Sequence, residues 1–132
     1  MLVHFVQLVH LLAVLFMVTT PFQDDISLLV LHVTSALSIF THWVANNNIC
    51  FLSLVEAKMR KIPISKGFIH SLVAPVYDMN AQQTNIFTYF VLFCLMSISL
   101  YKIFVSDRWS NAVKMFKETK QFSSFLLLLE PC

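Results

Sequence analysis

The fold class this chain predicts is an all-α integral membrane protein, with three transmembrane helices and a C-terminal interfacial or amphipathic helix. Three observations carry that expectation. First, hydrophobic residues make up 58% of the 132 and charged residues only 12%, against about 25% charged in soluble domains. A chain this short cannot bury so much apolar surface inside one water-facing globule, so lipid is the natural solvent for the excess. Second, three apolar runs are long enough to cross a bilayer. Third, the single glycine and four prolines leave too few turns for a multi-stranded β-barrel. One membrane domain is expected over 1–132, with spans at about 2–20, 26–50 and 86–105 and a tail at 107–132.

The first run, Met1 to Thr20, is apolar apart from His4, Gln7, His10 and the threonines at its end, and Pro21 closes it. At about 1.5 Å per residue, twenty helical residues match a hydrocarbon core of roughly 30 Å. A retained helix is expected over a cleaved signal peptide. No Lys or Arg precedes position 58, and Val18-Thr19-Thr20 makes a poor cleavage site. Asp24 or Asp25 is placed to cap the second helix, which starts at Ile26. At 100° per residue its polar side chains, His32, Ser35, Ser38 and His42, fall on one arc. If the helix continues past Trp43, then Asn46, Cys50, Ser53 and Glu56 extend that stripe. Such a face has to meet other helices or water, because unpaired polar groups in hydrocarbon cost several kcal/mol. The run Asn46-Asn47-Asn48 is the place where the helix would break instead, since Asn favours turns and tolerates left-handed backbone.

Lys58, Arg60, Lys61 and Lys66 form a basic cluster that reads as a topology and lipid-headgroup signal. Gly67 to Val76 is apolar but too short to span, so an interfacial or re-entrant segment is expected there. A polar linker, Ala81 to Asn85, leads to the third span, with Cys94 near its centre and Lys102 able to snorkel at its exit. In the tail, Phe122 to Leu129 is again too short to cross and reads as an interfacial helix. Basic residues nearly tie between the middle loop and the tail. The middle loop is favoured inside because the first two spans enclose a loop with two aspartates and no basic residue.

The residues with chemistry concentrate between His42 and Glu56. The polar functional-core candidates are His32, His42, Asn46, Asn47, Cys50, Glu56, His70 and Tyr77. Their first reading is interhelical hydrogen bonding, each bond worth about 0.6–2 kcal/mol in membranes. A metal site is the sharper alternative, because zinc takes His, Cys and carboxylate. On a straight helix, however, His42 and Glu56 lie about 21 Å apart, and the spacings match no established ligand motif. His10 and His32 also admit a bis-histidine haem, or a proton path if several copies build a channel. Cys50 is too far along one helix from His42 to form a Cys–His pair; His70 is a candidate from the next segment that no spacing fixes, and the plain reading is a buried, inert thiol. The three cysteines, Cys50, Cys94 and Cys132, contain no CxxC and set up neither a disulfide framework nor a zinc ribbon. No catalytic residue, metal or cofactor is therefore assigned. The net charge of +2 gives no reason to expect nucleic acid. The expected partners are the lipid bilayer, further copies of the chain or other membrane proteins.

A longer pattern carries a resemblance. It comprises His10 in the first span, Pro21-Phe22, Leu31-His32-Val33, and the core His42-Trp43-x-x-Asn46-x-x-x-Cys50-x-Leu52-x-x-x-Glu56. Phe68-Ile69-His70-Ser71-Leu72-Val73 and Ala74-Pro75-Val76-Tyr77 complete it. The pattern covers about half the chain and resembles a group of small multi-pass membrane proteins encoded by large DNA viruses of algae and protists. The resemblance implies a viral or protist membrane protein, placed in a host or virion membrane. It implies no activity and transfers no functional residue. The function expected is structural or interactive, without catalysis. A metal- or thiol-dependent enzyme centred on His42, Cys50, Glu56 and His70 is one alternative and a small oligomeric channel the other.

Overall fold

The computed structural model describes residues 2–64, 72, 74–77 and 79–119. Helix α1 is Leu2–Thr19 and runs into a 3₁₀ turn at Thr20–Phe22; α2 is Ile26–Ala45, α3 Phe51–Arg60, α4 Ala81–Val105 and α5 Asp107–Thr119. Among the described residues there is no strand. Three helical stretches, Leu2–Phe22, Ile26–Ala45 and Gln82–Val105, are long and apolar enough to cross a membrane.

The helix boundaries follow from local chemistry. Asp25 caps α2, its Oδ1 accepting from the N–H of Ser27 at 2.8 Å and of Leu28 at 3.4 Å. The second helix stops at Ala45 and does not run to 50, because Asn47 and Asn48 both take left-handed backbone (φ 52° and 64°). Asn pays little for that conformation, and the Asn48 N–H closes the turn on the Trp43 carbonyl at 2.8 Å. The expected linker at 81–85 is instead the first turn of α4. Asn80 accepts from the Gln83 N–H at 2.9 Å, and the Gln83 side chain accepts from the Asn80 N–H at 3.1 Å, a complete capping box.

Helices α2 and α4 pack antiparallel. Near one end, Ile26 and Leu29 meet Ile103, and Trp109 and Ala112 of α5 close over them. Further along, Ala36 meets Leu92 and Met17 of α1. At the other end Trp43 and Phe40 stack edge-on against Tyr89, whose hydroxyl donates to Asn48. Trp43 also buries an indole N–H with no acceptor. Lys102, at the end of α4, reaches the α1–α2 loop and donates to the Gln23 carbonyl and the Asp24 carboxylate, both at 2.9 Å. In the tail, α5 packs Trp109 and Ala112 against the bundle and leaves Lys114 and Lys117 exposed. Of the segment Gly67 to Val76 expected to be interfacial or re-entrant, residues 67–71 and 73 lie outside the described residues, as does the interfacial helix expected at Phe122 to Leu129.

His32 sits between the two apolar layers, fully buried. Its Nε2 lies 3.0 Å from the Met17 carbonyl, and the Ser99 hydroxyl lies 3.0 Å from its Nδ1. A carbonyl only accepts, so Nε2 carries the proton; neutral Nδ1 then accepts from Ser99. The Met17 carbonyl is free for this because the residue four positions on, its usual helical donor, is Pro21, which has no N–H. One imidazole therefore ties α1, α2 and α4 together.

Replacing His32 by Ala strands a buried carbonyl and a buried hydroxyl and opens a void. The expected loss is about 2–4 kcal/mol, read as a lowered melting temperature in mild detergent. Ser99→Ala removes one bond and should cost about 0.6 kcal/mol. Equal losses in the two variants would argue against the bridge.

Candidate functional site

The break at Asn47 and Asn48 redirects the chain, and α3 packs against the first half of α1. Its inner face carries Cys50 at the N-cap, then Ser53 and Glu56, spaced by three residues. Opposite stand Gln7 and His10, likewise three apart on α1. Gln7 donates to Glu56 Oε1 at 3.0 Å, and Arg60 donates to the same oxygen at 2.8 Å. The Glu56 side chain is wholly buried while Arg60 is 36% exposed. This pair forms at i,i+4, the helical neighbour spacing. The second carboxylate oxygen, Oε2, is buried and has no hydrogen-bond partner. A buried acceptor left without a donor costs about 1–3 kcal/mol.

At the other end of the seam Cys50 interacts with His10, and the interaction favours the thiolate. Burial opposes the thiolate and is the largest single influence. It is outweighed by the His10 interaction, the Ser53 N–H, the charge on His10 and the Leu52 N–H taken together. The thiol is held down at about 7 against an ordinary value of 9.0. The sulfur makes no regular cap hydrogen bond; the N–H groups at the start of α3 act on it as partial positive charges. The first of them is already used, since Phe51 N–H donates to His42 Nε2 at 3.2 Å.

The structure sorts the sequence candidates into three groups. Cys50 and Glu56 lie on the α1–α3 seam. His42 and Asn46 lie at the α2–α3 turn, where the Asn46 amide donates to the His42 carbonyl at 2.8 Å and sits 3.1 Å from His42 Nδ1. Asn47 shapes that turn through its backbone. His32 belongs to the bundle core. The single polar stripe expected from His32 to Glu56 is thus cut in two at the Asn run. It forms no common outer face, because His32 and Glu56 are both buried inside the chain. Tyr77 is exposed. His70 and Lys66 lie outside the described residues. Lys58 and Lys61 are exposed beyond the seam, Lys61 ending α3 in left-handed backbone. Among the described residues no three His, Cys, Asp or Glu side chains converge as a metal would require.

Two participants were missed by sequence reasoning. Gln7 is one polar residue in an apolar run, and its spacing of three from His10 was the available signal. His10 is the other, read from the sequence only as a haem ligand or proton-path residue.

Fold and site together define an all-helical protein with three candidate membrane spans and a buried polar seam between α1 and α3. No protein-family model matches the chain, and no curated protein or solved structure matches it.

At pH 7 a thiol at about 7 is about half thiolate and one at 9.0 about 1%; lower intrinsic nucleophilicity cancels most of that gain and leaves a several-fold advantage. Iodoacetamide alkylation of Cys50, followed by peptide mass spectrometry, should therefore rise through a midpoint near pH 7. A midpoint near 9 would remove the His10 interaction. Separately, His42→Ala with Asn46→Ala takes the acceptor from the Phe51 N–H and should cost about 1 kcal/mol, a typical capping loss, seen as a lower melting temperature.

Proposed function

We propose that this chain is a membrane-embedded structural or interaction protein, working through its outer helical faces and without catalysis. One observation carries the reading. Only 11%, 17% and 22% of the three span windows is buried within the chain, whereas most of its buried polar groups are paired inside it. Leu2, Phe5 and Leu12 of α1 and Phe90, Phe93 and Phe104 of α4 are among the large apolar side chains left outside. In water such surface would drive aggregation. In a bilayer it meets lipid tails or the helices of another protein. The inward pairing of His32 with Ser99 and of Gln7 with Glu56 favours this reading over a channel, which wants polar side chains facing a pore. Placement in a host or virion membrane is the part of the proposal that rests on the sequence resemblance alone.

The test has two arms. The tagged chain should stay in the membrane pellet after alkaline carbonate extraction; release into the supernatant overturns the embedding. Liposomes carrying the purified chain should hold an ion gradient as well as empty ones. Flux above that background replaces the structural reading with a channel.

A further inference from the structure

In the membrane embedding proposed above, on which this inference rests, α3 lies at the water boundary. At its start the Phe51 N–H donates to His42 Nε2, and further along Glu56 accepts from Gln7. His42 is three residues from the end of the span Ile26–Ala45, and Gln7 is five from the start of the span Leu2–Phe22. At about 1.5 Å per residue the two anchors sit about 4.5 and about 7.5 Å inside the span ends. A helix held in the headgroup–acyl boundary lies at that depth. Ser53, Glu56 and Ala57 fill its inner face, while Phe51 and Lys58, two turns apart, stand exposed on the outer one. Arg60 is engaged by Glu56. Lys58 and Lys61 are exposed and have no carboxylate partner among the described residues. Lys61 also takes the left-handed C-cap of α3 (φ 53°), a position that glycine fills without steric cost. Charge separates the two ends of the bundle as well. Among the described residues Lys58, Arg60 and Lys61 face Glu56 alone at the α3 end. At the opposite end four cations of α4 and α5 meet four carboxylates of the α1–α2 loop and α5, so net positive charge stays with α3.

We propose that the outer face of α3 binds anionic phospholipids, with Lys58 and Lys61 on the headgroup and Phe51 against the acyl chains. A lysine at this depth lays its stem along apolar surface and lifts its ammonium to the headgroups. Each such charge adds attraction to an anionic leaflet, and the attraction falls off within a Debye length. The α3 end of the bundle then faces the leaflet richer in anionic lipid. Phe51, 62% exposed, favours a lipid over an acidic protein, because an acyl chain covers it where water-borne carboxylates do not. The dipole of α3 also favours cations at its C-terminus. That effect acts on the stability of the helix and is indifferent to the choice of lipid.

The experiment uses the full chain in phosphatidylcholine bilayers. Phosphatidylserine and phosphatidylcholine bearing the same photoreactive acyl chain are added in equal trace amounts, and crosslinks are mapped on peptides. The α3 peptides should take phosphatidylserine over phosphatidylcholine by about fivefold, the worth of one basic residue near an anionic surface. The preference should vanish in Lys58→Gln with Lys61→Gln and persist in Lys114→Gln with Lys117→Gln. Equal labelling by the two lipids, or a preference that survives the first pair or is lost in the second, overturns the proposal. A role confined to the helix dipole would lower the melting temperature of the first pair and leave the ratio unchanged. Should that pair misfold, the natural chain decides in about 1 M salt, where the Debye length is about 3 Å: a preference that collapses supports the lysines, and one that holds removes them. Soluble polyglutamate that shields Lys58 and Lys61 from acetylation where phosphatidylserine does not would give the face to an acidic protein and overturn the lipid. A chain retained after alkaline carbonate extraction but labelled equally overturns this proposal alone; a chain released there overturns the embedding itself.

Discussion

The bundle depends on what happens at one carbonyl. Pro21 ends α1 and in doing so removes the N–H that the Met17 carbonyl would otherwise accept. In a membrane no water is at hand to replace it. His32 does so from α2, and its second nitrogen is then fixed as an acceptor that Ser99 of α4 fills. The apolar layers on either side, around Leu29 and Ile103 and around Ala36 and Leu92, are small. Apolar burial among membrane helices brings little drive of its own, because lipid tails are equally apolar. In the bilayer setting proposed above, directional bonds therefore matter more than in a soluble core of the same size. The Lys102 contact with the α1–α2 loop acts alongside the His32 bridge, fixing the end of α4 against the turn from α1 into α2.

The seam between α1 and α3 is organised differently. Its charged member, Glu56, loses all contact with solvent and recovers a partner in Arg60, whose guanidinium stays partly in water. Pairing a buried charge with a partly hydrated one limits the desolvation that makes fully buried ion pairs marginal. Gln7 supplies a neutral second donor to the same oxygen. The arrangement still leaves Oε2 unsatisfied.

Much of the fold was legible in the sequence, and the reason is length. Apolar runs of about twenty residues have few structural solutions, so the three long helices and the Pro21 stop follow directly. Asp25 was readable as a cap for the same local reason. The start of α4 was missed although its signal, Asn80 followed three residues later by Gln83, lay in plain view; a polar stretch was taken for a linker. The site was less legible. A helical wheel orders residues on one continuous helix, and it failed where Asn47 and Asn48 turned left-handed. It then grouped His32 with Glu56, which the fold sends to different seams. The pairings of Cys50 with His10 and of Glu56 with Gln7 join positions about 40 and 49 residues apart. No local pattern encodes such contacts; they depend on how α3 folds back on α1.

The two buried histidines show how placement divides structural from chemical roles. His32 has both ring nitrogens engaged by groups that cannot leave: a backbone carbonyl and a serine hydroxyl on separate helices. Its proton is confined to Nε2, because moving it would set a lone pair against the Met17 carbonyl. His10 instead meets a thiol, which can give up its proton, at a helix start that favours the resulting anion. The same side chain bridges helices in one setting and meets a thiol in the other. The difference comes from the partners that Pro21 and the Asn run bring to each ring, and from nothing in the histidines themselves. The three-helix core supplies the frame that holds α1 in place beside α3.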